Sequence, residues 1–213
     1  MKKAIKDVLK RTFVYSLLIK YRQFYGMKSI RKLILDDKYH HMDIHDEIIR
    51  LSKRYDIRNF IETGTYSGNT VYGVKDAFNK IYSIELSEQI FHLVRDRFKK
   101  YQHIEILNGD SSIVLQEILP LINEPAIFWL DAHYSSGGTS KGLMHTPVLD
   151  EIDMILNHKI DNHIILIDDM KDFNGENDYP TLKALEDFIT NNSNAHFSIK
   201  NGIAYVIPLA YKV

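Results

Sequence analysis

The chain has 213 residues, enough for one well-buried domain and near the size at which a single core still suffices. Its 45% hydrophobic and 26% charged residues exclude disordered and fibrous classes. The absence of cysteine excludes disulfides, thiolate catalysis and Cys-ligated zinc, and fits a reducing, cytoplasmic setting. A net charge of -1 argues against general nucleic-acid binding.

That charge is unevenly spread. Lys2, Lys3, Lys6, Lys10, Arg11, Lys20, Arg22, Lys28, Arg31 and Lys32 face only Asp7 in the first 32 residues, leaving a net-acidic remainder. We expect residues 1–45 to form a basic helical extension and 46–213 the main domain. The extension suits docking to a membrane surface or a protein partner. Alternatively, its stripe of Val8, Phe13, Leu17 and Tyr21 packs on the main domain, or on a second subunit of a homo-oligomer. The apolar run FVYSLLI is far shorter than the roughly 20 residues of a membrane span, and no small-residue cleavage site follows it, so no signal peptide is expected.

Asp46 to Tyr55 has helical spacing, after which NFIETGTYSGNT reads as strand, turn and helix start. KIYSIELS is a second strand, followed by a helix capped by Ser87. HIEILNGD is a third strand and SSIVLQEILPLI a helix. AIFWLDAHY is a fourth strand, leading into a long irregular segment, Tyr134 to His145, of a length typical of lids and binding loops. Thr146 and Pro147, as cap and first helical residue, start the next helix. HIILIDDM is a fifth strand. A helix from about Pro180 to Asn191 precedes two strands joined by Asn201-Gly202, a hairpin signal. Strands alternating with helices predict an α/β, Rossmann-like doubly wound sheet, mostly parallel, with helices on both faces and an antiparallel C-terminal hairpin.

In such sheets ligands bind at the carboxyl ends of the strands, and this chain loads those ends with polar groups. Glu62, Gly64 and Gly68 follow strand one, Glu85 ends strand two, Asp110 strand three, Asp131 and His133 strand four, and Asp168 and Asp169 strand five. The glycines allow a tight turn close to a ligand, but their G-x-x-x-G spacing is not the G-x-G-x-x-G of a dinucleotide site. Glu85 is placed to accept hydrogen bonds from two ribose hydroxyls. Together, Glu62-Thr63-Gly64-Thr65-Tyr66-Ser67-Gly68-Asn69-Thr70, Ile84-Glu85, Gly109-Asp110-Ser111 and Asp131 resemble the class I S-adenosylmethionine-dependent methyltransferases. The nearest likeness is to the metal-dependent small-molecule O-methyltransferases of the macrocin and catechol types. The resemblance runs from about Asn59 to the C-terminus. It implies seven strands with the last antiparallel, Glu62, Gly64, Tyr66 and Thr70 around the methionine part of the cofactor, and Thr70 on its carboxylate. It also implies Gly68 in the turn, Glu85 on the ribose, and Asp110 with Ser111 at the adenine.

Strands four and five are neighbours in this fold, so Asp131, Asp168 and Asp169 would offer an all-oxygen set suited to Mg²⁺. The Asp-Asp pair is similar to the macrocin type, whereas the catechol type has Asp-Asn. His133, two residues beyond Asp131, points to the same side of an extended chain and is expected to deprotonate the acceptor. The related enzymes use Lys or Asp there; ordering the loop or ligating the metal are the alternatives for His133. The function expected is Mg²⁺-assisted O-methylation of a sugar, polysaccharide precursor or natural-product hydroxyl. A glycosyltransferase reading Asp131-Ala132-His133 as a degenerate D-x-D site, and a non-catalytic partner subunit, are the alternatives.

Overall fold

The computed structural model describes residues 42–131, 147–176 and 179–211. Residues 1–41 of the expected basic extension, His133 and the 134–145 segment lie outside these residues, and residues 42–45 belong to the first described helix. Helix α1 (Met42–Tyr55) leads into β1 (Asn59–Thr63), α2 (Asn69–Val74), β2 (Lys80–Glu85), α3 (Glu88–Phe98) and β3 (Ile104–Asn108). Then come α4 (Ser111–Ile118), β4 (Ala126–Leu130), α5 (Val148–Leu156), β5 (Ile164–Ile167), α6 (Leu182–Asn192), β6 (Ala195–Lys200) and β7 (Ile203–Pro208). The sheet has seven strands in the order β3-β2-β1-β4-β5-β7-β6. β1 to β5 pair in parallel, and β7 runs antiparallel to both β5 and β6. The hairpin therefore inserts its second strand into the sheet and leaves β6 at the edge.

Local chemistry accounts for the element ends. The Ser87 hydroxyl caps α3 by accepting from the Ile90 N–H. Helix α4 stops at Ile118 and tightens into a 3₁₀ turn over Leu119–Leu121, because Pro120 has no N–H and its ring clashes with a preceding carbonyl. Pro147 occupies the cap position of α5 rather than its first turn, which begins at Val148. α6 starts at Leu182, two residues after the expected Pro180, because the Thr181 hydroxyl caps it by accepting from Ala184 N–H at 3.2 Å. Asn201 and Gly202 have φ of 54° and 79°, the left-handed pair that a two-residue hairpin turn needs.

Alternate strand residues face opposite sides. Ile61, Tyr82, Ile84, Phe128, Leu130, Ile165, Ile167 and Val206 form one core with Leu115 of α4, Ile152 of α5 and Leu185 and Ile189 of α6. The other set includes Phe60, Glu62, Ile81, Ser83, Ile127 and Trp129. At the amino-terminal end of β4 and β5, remote from the ligand rim, two imidazoles form a relay. Ala126 N–H donates to His163 Nδ1 at 3.0 Å, so His163 carries its proton on Nε2 and donates to His158 Nδ1 at 2.8 Å. His158 then donates through Nε2 to the Leu119 carbonyl at 2.9 Å. Every ring nitrogen is satisfied only while both rings are neutral. No helix among the described residues is long and apolar enough to cross a membrane.

Candidate active site

Strand order reverses at β1, which lies between β2 and β4, so the crevice falls at the carboxyl ends of those strands. The ladder continues past the formal strand ends: Gly64 and Thr65 N–H donate to the Ile84 carbonyl at 2.9 and 3.1 Å. Asp131 N–H donates to the Thr63 carbonyl at 2.9 Å, and Asp168 N–H to the Leu130 carbonyl at 3.1 Å. Glu62, Gly64, Glu85, Asp131 and Asp168 are thus carried to one rim by adjacent strands.

The turn after β1 uses left-handed backbone at Gly64, Tyr66 and Gly68, with φ of 92°, 44° and 70°. For Tyr66 this is strained, and such strain persists where surrounding groups over-determine the backbone. At Gly68 a Cβ would come within 2.7 Å of a Phe98 ring carbon and 2.9 Å of Val94 Cγ1, so the turn lies directly on α3. Glu85 braces it from the end of β2: Oε2 accepts from Tyr66 N–H and Oε1 from Ser87 N–H, each at 2.8 Å. Helix α2 has only six residues and no side-chain cap, so its dipole adds little to an anion site.

Beneath the turn lies a buried polar chain that the sequence did not announce. Ser83 Oγ donates to Glu62 Oε2 at 2.5 Å, which obliges Thr65 Oγ1 to donate to Ser83 at 2.6 Å. Glu62 is buried, and burial pushes its carboxyl up to about 8. Nearby Asp131 and Glu85 add to the rise, and the Ser83 and Thr70 hydroxyls oppose it. Thr70, expected on the cofactor carboxylate, is therefore turned toward Glu62. Burial also raises Glu85, against the lowering effect of the Ser87 and Tyr66 N–H groups.

Asp110 caps α4, its Oδ1 accepting from Ser112 N–H at 3.1 Å and Ser112 Oγ at 2.7 Å, and Ser111 is buried beside it. At the rim of β5, Asp168 Oδ1 accepts from Asp169 N–H at 2.7 Å. Asp169 has φ of 56° and its Oδ1 lies 3.1 Å from Lys171 Nζ. Among the described residues no group of three or more His, Asp or Glu side chains is disposed to hold a metal ion. The sheet brings Asp131 and Asp168 to neighbouring strand ends, with Asp169 next in the chain and beside Lys171.

Two other residues escaped the sequence reading. Glu151, buried in the first turn of α5, accepts from the Thr63 hydroxyl at 3.4 Å. Arg97 of α3 donates to the Ser67 carbonyl at 2.6 Å and Asn69 Oδ1 at 3.0 Å. Its only signal in the sequence is its place beside the buried stripe Ile90, Val94 and Phe98.

The strand order, the antiparallel β7, the glycine turn after β1 and the acid closing β2 define the Rossmann-like fold of class I S-adenosylmethionine-dependent methyltransferases. Solved structures agree. An O-methyltransferase from Bacillus cereus in complex with S-adenosylhomocysteine has a TM-score of 0.60 and 14% identity, over 85% of this chain and 90% of that one. A methyltransferase from Podospora anserina bound to S-adenosylhomocysteine gives 0.57 and 17%, over 87% and 86%. The O-methyltransferase TomG from Streptomyces achromogenes, involved in tomaymycin synthesis and in complex with S-adenosylmethionine, gives 0.57 and 13%, over 87% and 89%. No protein-family model matches the sequence, and no curated protein matches it either.

Proposed function

We propose that this chain is an S-adenosylmethionine-dependent methyltransferase acting on a hydroxyl of a sugar, polysaccharide precursor or natural product. One observation carries the reading: the strained turn after β1 is braced by the Glu85 carboxylate beside a buried Glu62. The O-methyltransferases of the same fold, crystallised with the cofactor or its product, support it. The cofactor supplies an electrophilic methyl on a sulfonium and a second positive charge on its ammonium. Glu85 and Asp131 give the rim an acidic character that complements both charges, while Glu62, which keeps its proton up to about pH 8, contributes hydrogen bonding rather than charge. Glu85 would accept from the ribose hydroxyls on lone pairs not used by Tyr66 and Ser87, and the turn would hold the methionine arm.

In the transfer, the acceptor oxygen forms a bond to the methyl carbon as the carbon–sulfur bond breaks, leaving a thioether, and the hydroxyl proton passes to a base. His133 is the proposed base. We propose that the reaction is assisted by magnesium, though no step is routed through the ion here. If held at this rim, it would draw on Asp131, Asp168 and Asp169 and would lower the acceptor's pKa. The basic N-terminal extension keeps its proposed role as a docking arm.

The test is calorimetry and thermal shift with S-adenosylmethionine and S-adenosylhomocysteine. At a hundredfold excess over Kd a ligand should add about 2.7 kcal/mol to stability. Absence of binding to both would sink the proposal, and binding of a nucleotide sugar in their place would promote the glycosyltransferase alternative.

A further inference from the structure

We propose that Arg97 is a positioning residue for the cofactor turn, acting through the Ser67 carbonyl and the Asn69 side chain. This inference rests on the methyltransferase reading above. A single turn of α3 supplies both supports of the loop. Val94 and Phe98 form the floor on which Gly68 lies, and Arg97, between them in sequence, reaches the residues on either side of that glycine.

The guanidinium is held over the Tyr72 ring at 4.8 Å and the Phe98 ring at 5.5 Å, which fixes its plane. Its hydrogen-bond partners are two neutral oxygens, and burial lowers its pKa below the usual arginine value. The side chain is half-buried, so its stem packs on α3 and the turn while its head stays at the surface. What arginine adds is a rigid donor that ties two parts of the turn together.

The geometry of the turn shows what this adds. Tyr66 is held in left-handed backbone, and consecutive residues are held by different elements: Tyr66 N–H by Glu85 of β2, the Ser67 carbonyl by Arg97 of α3. Without Arg97 the Ser67–Asn69 stretch loses two of the hydrogen bonds that hold it, and the part of the site placed around the methionine arm is held less firmly. The adenosine part, held by other strand ends, should not.

The test uses the full chain and compares S-adenosylhomocysteine with 5′-methylthioadenosine, which lacks the amino-acid arm, by calorimetry. Arg97→Met should weaken S-adenosylhomocysteine by roughly tenfold or more while 5′-methylthioadenosine stays within about twofold. Arg97→Lys keeps the charge but not the planar donor, and should fall between; it carries the same comparison should Arg97→Met fail to fold. Equal affinities for wild type and variants would overturn the inference, as would equal weakening of both ligands with a lowered melting temperature, which marks a general structural role. If wild type binds neither ligand, it is the methyltransferase reading that fails.

Discussion

The two halves of the rim are built differently. On the β1 and β2 side, every polar group is committed: Glu85 to two backbone N–H groups, Glu62 to a hydroxyl chain, the turn to α3. On the β4 and β5 side, Asp131 and Asp168 are placed by the sheet, but Asp169 is exposed enough to pair with Lys171, and the segment carrying His133 lies outside the described residues. A cofactor shared by many enzymes can be met by a fixed cradle, whereas an acceptor peculiar to one enzyme is met by variable side chains on loops. The contrast teaches where substitutions should be felt.

The largest effect is expected at Gly68. Gly68→Ala imposes left-handed backbone on a residue with a Cβ and drives that Cβ into Val94 and Phe98, a loss of roughly 2–5 kcal/mol in urea denaturation. A cost below 1 kcal/mol would show that the cradle is softer than described. Next, Glu85→Ala leaves the Tyr66 and Ser87 N–H groups without their acceptor. It should weaken S-adenosylhomocysteine by roughly a hundredfold in calorimetry; an effect under threefold would separate Glu85 from the ligand.

Glu62 gives a pH test. Its folded-state pKa is raised, so the folded protein retains a proton that the unfolded chain releases. Stability from this group is full below the ordinary carboxyl range and is lost as pH rises toward about 8, by a few kcal/mol. Glu62→Gln should flatten this slope in melting curves between pH 5 and 8, and an unchanged slope would discard the buried-acid account. The smallest effect belongs to the other half: Asp169→Asn should cost under about 1 kcal/mol and leave S-adenosylhomocysteine binding unchanged, because the ion pair with Lys171 is solvent-exposed.

The same contrast marks what the sequence made legible. Acids at strand ends, the Asn201-Gly202 hairpin and the Ser87 cap are decided within a few residues, and each lies where the pattern places it. The seven strands and the antiparallel last one follow from alternation and from the resemblance together, whereas their full order comes from the structure. Arg97 and the Thr65–Ser83–Glu62 chain depend on contacts between residues 18 to 30 positions apart, which no local pattern encodes. Pro120 and Thr181 were visible as helix breaker and cap, yet their neighbours' helical spacing masked them. The triple-carboxylate expectation rests on Asp131, Asp168 and Asp169, and the sheet sets the ends of β4 and β5 side by side.

The histidine relay at the far end of the sheet sets the opposite limit to that of Glu62. Protonating His163 on Nδ1 would turn it against the Ala126 N–H, and burial with His158 beside it holds its pKa down to about 4. The folded protein therefore binds fewer protons there than the unfolded chain. Stability from this pair is full above the ordinary imidazole range and is lost as pH falls toward about 4, by roughly 3 kcal/mol. One end of the sheet resists acid poorly and the other resists base poorly; the two slopes offset each other between the ordinary carboxyl and imidazole values of 4.5 and 6.5, so stability from these groups should run level through the mildly acidic range and decline only above it, toward about pH 8.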